Sequence, residues 1–332
     1  MAVTVKQIAD ELGISFQLVS AVLNNKNYCR ASKAKKQLIF DTAARLGYRP
    51  NVNARILTGK PSKILGVLAD LQAASPASKI LAMLEREAAE YGFRLMIGGF
   101  HDRFEDIVSS YRLLLQHGVD GVFLIALDDL RYRQEAEDFF RNEKNLVVVR
   151  APLLEGHFCI EVDLAAAFSR IVHILQTSGR KNIHYLGQDS NTYQSLHDRA
   201  TGFAVNFPDA ARRIHYLDDS GKIADGMEAD EFVEKVVKPE KIDALVIQDD
   251  LTALYWLNIL AQHGLRIPDD VAVTGCNNEN FTPVTVPGLA TIDFREAEIT
   301  HLAMELMQRS LKNMEPETVK IMPEFIRRIS CQ

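Results

Sequence analysis

The side chains best suited to chemistry in this sequence are two arginines, an aspartate and an asparagine placed near the ends of apolar segments. Arg150, Asp249 and Asn277 end or directly follow such segments, and Arg199 lies just before Gly202 in a helical pattern. Guanidinium and carboxylate groups hold vicinal hydroxyls or a carboxylate through paired hydrogen bonds. These residues predict recognition of a small polar molecule.

The sequence carries none of the common signatures of catalysis. It has no P-loop, G-x-G-x-x-G or G-x-S-x-G motif, and its 9 histidines show no H-E-x-x-H or clustered carboxylate spacing. His173 and His184 lie in apolar segments, which favours structural roles. The 4 cysteines are scattered, which favours a reducing cytoplasm. We expect no enzyme activity, no cofactor and no metal.

The elements that must position these side chains alternate between apolar strands and amphipathic helices. This alternation predicts two doubly wound parallel-sheet α/β lobes. Ligands of such sheets lie beyond the carboxyl ends of the strands, so a cleft between the lobes would gather the four polar residues. The first series is "ILGVLAD", "ILAMLEREAAEYG", "FRLMIGG", "IVSSYRLLLQHG", "VDGVFLIAL" and "LVVVRAP"; the second, beginning near residue 163, is "LAAAFSRIVHILQTSG", "NIHYLGQ", "DALVIQDD", "LTALYWLNILAQHG" and "VAVTGC".

The net charge of -6 combines two parts of opposite sign. Residues 1–63 carry 11 Lys and Arg against 3 Asp and Glu, a net charge of +8, and the remainder has a net charge of -14. A basic segment on an acidic body indicates a domain that binds a polyanion. The alternative is an ordinary solvated surface.

The basic segment opens with two short helical patterns joined at Gly13. Thr4 and Gln7 have capping-box spacing, and Ser15 is placed to cap the second helix. Two helices joined by a glycine turn are typical of a helix-turn-helix, whose second helix enters a DNA major groove. The side chains expected to point outward there, or toward the leading end of that helix, are Phe16, Gln17, Ser20, Ala21 and Asn24.

Gln17 is placed to bond adenine, and Phe16 to contact a thymine methyl. The alternatives are a solvated glutamine and a phenylalanine packed inside. A third helix would begin after Ser32 and carry Lys35 and Lys36 in its first turn. Cations there oppose the helix dipole, a cost that phosphate contacts would offset. The apolar stripe of this helix is predicted to be Leu38, Ile39, Ala43 and Leu46.

Two segments, "TVKQIADELGISFQLVSAVLN" and "ARLGYRPNVNARILTGK", resemble the head and hinge of the lactose/galactose repressor family of bacterial transcription regulators. The resemblance implies that residues 51–58 form a hinge helix that orders on operator DNA. Leu57 would be its minor-groove wedge; the alternative is an ordinary buried leucine. Family members often have arginine where this chain has Ala21. The expected DNA-binding residues are Thr4, Ser15, Phe16, Gln17, Ser20, Ala21, Asn24, Lys35, Lys36, Asn51, Ala54, Arg55 and Leu57.

The resemblance extends to the body through "TSGRKNIHYLGQ", "SLHDRATGF", "DALVIQDDLTAL" and "GLRIPDDVAVTGCNN". It implies the two-lobed fold of periplasmic sugar-binding proteins. Members commonly have asparagine where Asp249 stands and aspartate where Asn277 stands. In the alternative interpretation Asp249 and Asp250 cap a helix and Arg199 forms a surface ion pair. The implied effector-binding residues are Asp70, Ser75, Arg150, Ser195, Arg199, Asp249, Asn277 and Phe294.

These observations predict a helix-turn-helix domain over residues 1–49, a hinge and linker over 50–62, and an effector-binding and dimerisation domain over 63–332. Crossovers between lobes are expected near residues 162, 293 and 321.

The predicted function is a homodimeric, cytoplasmic repressor whose affinity for near-palindromic operator DNA is modulated by a sugar or sugar derivative. Arg150 with Arg199 could favour an anionic sugar derivative. No membrane partner is expected, because no run of 18 apolar residues and no secretory signal occurs. The alternatives are a regulator controlled by a protein partner and a carbohydrate-active enzyme with a DNA-binding head.

Overall fold

The computed structural model describes residues 3–24, 31–49, 59–70, 76–100, 103–126, 128–150, 154–189, 192–218, 223 and 226–332. The chain forms two compact units, Met1–Ser62 and Lys63–Gln332. Within the described ranges, every helix is too short or too polar to cross a membrane.

The first unit is a small helical head. Its helices are α1 (Val5–Leu12), α2 (Phe16–Leu23) and α3 (Lys33–Arg45). Thr4 and Gln7 form the expected capping box, and Ser15 and Ser32 cap α2 and α3 by accepting from backbone amides at 3.3 Å. Gly13 has a φ of 59°, the left-handed turn expected of it. The core residues are Ile8, Ala9, Val19, Val22, Ile39 and Ala43.

The predicted apolar stripe of α3 is wrong at one position. Leu38 is 53% exposed, whereas the adjacent Ile39 is fully buried. Successive helical residues are separated by about 100° around the axis, so Ile39, Thr42 and Ala43 occupy the inward face and Leu38 lies beside it.

The first lobe of the second unit is built on a six-stranded parallel sheet. The strand order is β11-β5-β4-β3-β1-β2. The strands are β1 (Ile64–Asp70), β2 (Arg94–Phe100), β3 (Gly121–Ile125), β4 (Leu146–Val149), β5 (Phe158–Val162) and β11 (Thr318–Ile321). Its helices are α4 (Pro76–Glu90), α5 (Phe104–Gln116), α6 (Arg133–Phe140), which follows a 3₁₀ turn at Leu130–Tyr132, and α13 (Glu296–Ser310).

The second lobe contains a four-stranded parallel sheet in the order β7-β6-β8-β9 and an antiparallel pair, β10 with β12. The strands are β6 (Ile183–Gln188), β7 (Ile214–Leu217), β8 (Ala244–Ile247), β9 (Ala272–Thr274), β10 (Thr291–Asp293) and β12 (Glu324–Ile326). The helices are α7 (Leu164–Thr177), α8 (Gln194–Ala204), α9 (Ala210–Arg213), α10 (Ala229–Phe232), α11 (Lys238–Glu240) and α12 (Asp250–Gln262). A π-helical turn, Val233–Val237, joins α10 to α11, and 3₁₀ turns lie at Thr282–Val284 and Ile329–Cys331.

The chain passes between the two lobes more than once. The first-lobe sheet receives β5 and, much later in the chain, β11, while β6 to β10 and β12 belong to the second lobe. After β10, helix α13 returns to pack against α4 and β4. The predicted fold class, a helical head with two parallel-sheet lobes, is confirmed.

Candidate functional site

The leading end of α2 presents two side chains to solvent. Phe16 is 51% exposed, and Gln17 is also exposed. Ser20 is half-buried, and the exposed Asn24 amide donates to the Ser20 carbonyl at 2.7 Å. Ala21 is only 6% exposed, so its side chain does not point into solvent, which is one of the two orientations expected of it. Its single methyl group is too short to emerge beyond its surroundings.

The basic surface of the head lies on α3. Lys35 is exposed and Lys36 is half-buried. The exposed Thr4 uses its side chain in the α1 cap. Five predicted site residues lie outside the described residues: Asn51, Ala54, Arg55, Leu57 and Ser75.

Arg150 directly follows β4 and faces the second lobe. Its backbone adopts a left-handed φ of 66°, and its amide donates to the Ile160 carbonyl at 2.7 Å. Its guanidinium lies 4.8 Å from the ring centroid of Phe294. Phe294 is fully buried, so its ring gives the Arg150 guanidinium a fixed surface to pack against. The Nε atom of Arg150 is buried without a hydrogen-bond partner among the described residues.

Arg199 lies on α8, opposite Arg150 in the cleft. It is only 7% exposed, and within the described ranges its buried Nε has no partner. The alternative of a surface ion pair is therefore wrong. Burial lowers the pKa of Arg150, an effect opposed by Asp128 and strengthened by the like charge of Arg199. Arg199 lies one helical turn after Ser195 on α8, and Ser195 lines the same pocket as Arg150.

The neighbouring carboxylates at the start of α12 have different partners. Asp249 caps the helix: Oδ1 accepts from the Thr252 amide at 2.8 Å and Oδ2 from the Thr252 hydroxyl at 2.9 Å. Asp250 is fully buried and accepts from the Glu279 amide at 2.8 Å and the Thr291 hydroxyl at 2.6 Å. The capping interpretation is thus confirmed for Asp249 and wrong for Asp250.

The floor of the cleft contains further buried polar atoms. Asn277 follows β9 with a φ of 109°, and its buried Oδ1 has no partner in the described part of the chain. The Tyr185 hydroxyl, on β6, is likewise buried and unpartnered there. A Cβ at residue 187 would lie 2.4 Å from this hydroxyl, so Gly187 leaves room for it. Arg199 acts electrostatically on Tyr185, which places the two side chains in one neighbourhood.

A narrow, partly open pocket lies where the two lobes meet. Arg150 and Ser195 are the predicted site residues among those lining it. Asp70 ends β1 and is half-buried, but it is not one of the lining residues. The other lining residues are Asp128, Glu161, Val162, Leu164, Gln194 and Asp198.

The lobes make direct contacts on either side of this cleft. The Gln194 amide donates to the Asp128 carbonyl, and the Leu130 amide to the Thr192 carbonyl, both at 2.8 Å. On α4, the Lys79 ammonium donates to the carbonyls of Asn277 and Asn278 at 2.6 and 2.9 Å. These contacts hold the lobes closed over the buried arginines.

Sequence reasoning missed Lys79, Asp128 and Tyr185. Asp128 carries a usable signal because it follows β3 at the same sheet edge as Arg150. Lys79 lies within a helix, and Tyr185 within an apolar strand, so neither has a distinctive sequence environment. Across the described residues, no group of three or more His, Cys, Asp or Glu is arranged to hold a metal ion.

One family model and several known proteins are similar to this chain. A family model described as a periplasmic binding protein-like domain matches residues 172–331. The HTH-type transcriptional regulator RegA of Clostridium saccharobutylicum is 26% identical over 322 residues, covering 95% of this chain and 94% of that protein. The sucrose operon repressor of Streptococcus mutans is 24% identical, with 97% of each chain covered.

The fold is similar to that of a lac repressor dimer bound to operator and the anti-inducer ONPF. The TM-score is 0.82 at 20% identity, with 100% of this chain and 99% of that chain covered. With its helix-turn-helix head and two-lobed body, the chain is therefore similar over nearly its whole length to transcription regulators of the lactose/galactose repressor type.

Proposed function

We propose that this protein represses transcription by binding operator DNA through its head, and that a small ligand bound between its lobes modulates that affinity. The observation that supports control by a ligand is a set of buried side-chain atoms on Arg150, Arg199 and Asn277 that have no hydrogen-bond partner among the described residues. Burying a polar group without a hydrogen bond is costly, so such atoms indicate a place for a ligand.

In the proposed DNA complex, α2 lies in the major groove. Gln17 then reads a base edge, and Phe16 contacts a thymine methyl group. Lys35 and Lys36 contact phosphates. Asn51, Ala54, Arg55 and Leu57 act in the hinge, where Leu57 is the minor-groove wedge. Ala21 contributes packing within α2, not a base contact.

A homodimer on a near-palindromic operator is the proposed assembly. One head this small contacts few base pairs, and linking two heads raises the effective concentration of the second. Two-fold symmetry of the heads requires matching half-sites. The similar lac repressor structure is a dimer on its operator.

The proposed effector is a sugar or sugar derivative, the class suggested by the similarity to a sucrose operon repressor. Arg150, Ser195, Arg199 and Asn277 form its proposed binding site, and Asp70 and Ser75 are further candidate contacts. The ligand changes operator affinity only to the extent that it binds the open and closed lobes differently. A coupling of about 1–3 kcal/mol is sufficient.

A small ligand suits this site better than a protein partner. Arg199 and Asn277 are 7% and 4% exposed, and inter-lobe hydrogen bonds enclose them. The surface of another protein would not reach such atoms, whereas a molecule that enters before closure would.

The test of the regulator function is DNA selection from a random library by the full-length protein, followed by fluorescence anisotropy. Gln17→Ala should weaken binding to the selected sequence by about 1–3 kcal/mol, while binding to random DNA changes little. Lys36→Ala should weaken binding to both the selected sequence and random DNA. It should also make the slope of log affinity against log salt concentration shallower by about 1.

The matched controls are Gln37→Ala, an exposed glutamine that bonds Asp41, and Lys144→Ala, an exposed lysine of the body. Failure to enrich any sequence would contradict the regulator function. Equal losses on selected and random DNA would show that Gln17 does not read a base.

A further inference from the structure

Among the described residues, Arg150 and Arg199 are two buried cations that lack an ion-pair partner. Neither Arg150 nor Arg199 forms an ion pair or donates a side-chain hydrogen bond within the part of the chain that the structure describes. Arg150 instead rests against the Phe294 ring at 4.8 Å. Enclosed charges are normally paired, because removing an ion from water carries a penalty of several kcal/mol.

The nearby carboxylates are engaged elsewhere. Both oxygens of Asp249 accept from Thr252, and both oxygens of Asp250 accept from Glu279 and Thr291. The Asp128 Oδ2 lies 3.4 Å from the Ser195 amide.

Two further acids, Glu161 and Asp198, line the same pocket as Arg150. Glu161 lies 3.2 Å from the Lys320 ammonium, and Asp198 accepts from the Gln194 side-chain amide at 2.7 Å.

Glu296 lies 3.9 Å from the Lys79 ammonium. Asp128 and Glu296 attract Arg150 only at a distance. The two guanidinium groups therefore remain available to an incoming anion.

We infer that the ligand is a hydroxylated anion whose carboxylate or phosphate group lies between Arg150 and Arg199. This inference rests on the proposed ligand cleft and specifies the chemistry of its occupant. The planar guanidinium groups supply donors in the fork geometry that suits both kinds of acid.

The other polar side chains of the cleft indicate which further groups the ligand carries. Asn277 Oδ1 is an acceptor, so it requires a hydroxyl or N–H donor, which an anionic group does not supply. Ser195 and Gln194 line the adjoining cavity and offer further polar contacts. A sugar acid or a sugar phosphate carries both the charge and the hydroxyls that this arrangement requires.

The test is calorimetric titration of the full-length protein with pairs of probes that share either the hydroxylated framework or the acidic group, but not both. D-Glucuronate is compared with D-glucose, D-galacturonate with D-galactose, and glucose 6-phosphate with inorganic phosphate. We expect a hydroxylated acid to bind at least about tenfold more tightly than its neutral partner, the factor that corresponds to one charge-assisted hydrogen bond. The carboxylate and phosphate arms distinguish the two sources of charge.

Arg150→Gln should remove most of the preference for the acid over the matched neutral sugar. Arg141→Gln is the matched control, because that arginine is exposed and pairs with Asp138. A second measurement needs no ligand: Arg150→Met should raise the melting temperature of the free protein, since it removes an enclosed unpaired charge.

The inference is overturned if a neutral sugar binds as tightly as its acid, if no acid binds, or if Arg150→Met lowers the melting temperature. These outcomes are separable from failure of the proposed function. A protein that selects DNA but responds only to neutral sugars keeps the function and loses the inference. A protein that binds the acid but enriches no DNA sequence does the reverse.

Discussion

Asp249 and Asp250 show how far the chemistry of adjacent identical residues can diverge. Asp249 satisfies backbone and hydroxyl donors at the start of α12. Asp250 points into the lobe, where it accepts hydrogen bonds from the Glu279 amide and from the Thr291 hydroxyl of β10. A Cβ at residue 275 would lie 2.3 Å from Asp250 Oδ1, so Gly275 permits this approach. The buried carboxylate thereby orders the segment that carries Asn277.

Asp250 should make stability fall as the pH rises toward neutrality. Burial raises its pKa to about 6, whereas an unfolded aspartate titrates near about 4. Between these values the folded chain retains a proton that the unfolded chain has lost, so the free energy of unfolding decreases with pH. The stability of Asp250→Asn relative to the parent should therefore be greater at pH 7 than at pH 5, as measured by thermal melts.

Asp269→Asn, at an exposed aspartate, is the control for this comparison. A pH dependence that is identical in Asp250→Asn and the parent would show that Asp250 titrates normally in the fold.

At this scale, sequence supplied the residue types but not their directions. The sequence places Arg199 among the site residues but does not indicate its burial. The sequence pattern around a helical arginine is the same whether the side chain faces solvent or a cleft. Ala21 and Leu38 show the same limit: a rotation of one residue around a helix exchanges inside and outside. Asp249 and Asp250 are likewise indistinguishable by residue type, although Asp249 caps the helix and Asp250 is its first, buried residue.

At the scale of elements, the burial of a strand determines whether its sequence identifies it as a strand. Strands β1, β3, β4 and β8 are near-continuous apolar segments because sheets with helices on both faces bury both sides of their central strands. The edge strands β7, with the sequence "IHYL", and β11, with the sequence "TVKI", are more exposed. Their mixed polarity gives no such signal, so sequence reasoning missed them.

Close packing of α7 and α8 positions Arg199. An added Cβ at Gly202 would lie 2.1 Å from the Ala165 carbonyl oxygen, and that backbone atom cannot rotate away. Gly202→Ala should therefore force the helices apart, destabilise the protein by about 1–3 kcal/mol, and weaken binding of the ligand or acidic probe by displacing Arg199. Thermal melts and calorimetric titration measure the two effects.

Thr201→Ala changes an exposed neighbour on the same helix and should leave both quantities nearly unaltered. If Gly202→Ala melted at the parent temperature, the tight helix contact would be disproved.

At the scale of the whole second unit, Lys79 joins the lobes by bonding two carbonyls across the cleft. Its ammonium also lies 3.9 Å from both Glu279 and Glu296. Lys79→Met should open the lobes, because it removes charge-assisted hydrogen bonds and leaves those acids without their cation. Hydrogen bonds to charged groups are each worth about 1.5–3 kcal/mol, so ligand affinity should fall about tenfold or more.

Small-angle scattering measures the opening, and titration with the ligand or acidic probe measures the affinity. Lys144→Met, at an exposed lysine of the first lobe, serves as the control. An unchanged radius of gyration together with unchanged affinity would rule out Lys79 as the link between lobe closure and binding.

The position of β11 in the first-lobe sheet has a consequence for synthesis on the ribosome. Strand β11 pairs with β5 in parallel, from Thr318 with Cys159 to Ile321 with Val162, although the second-lobe strands β6 to β10 are translated between them. Until residues 318–321 emerge, β5 is an open edge of the nascent sheet. Open edges invite pairing with other chains, so the nascent first lobe is exposed to mispairing throughout the interval in which the second lobe is translated.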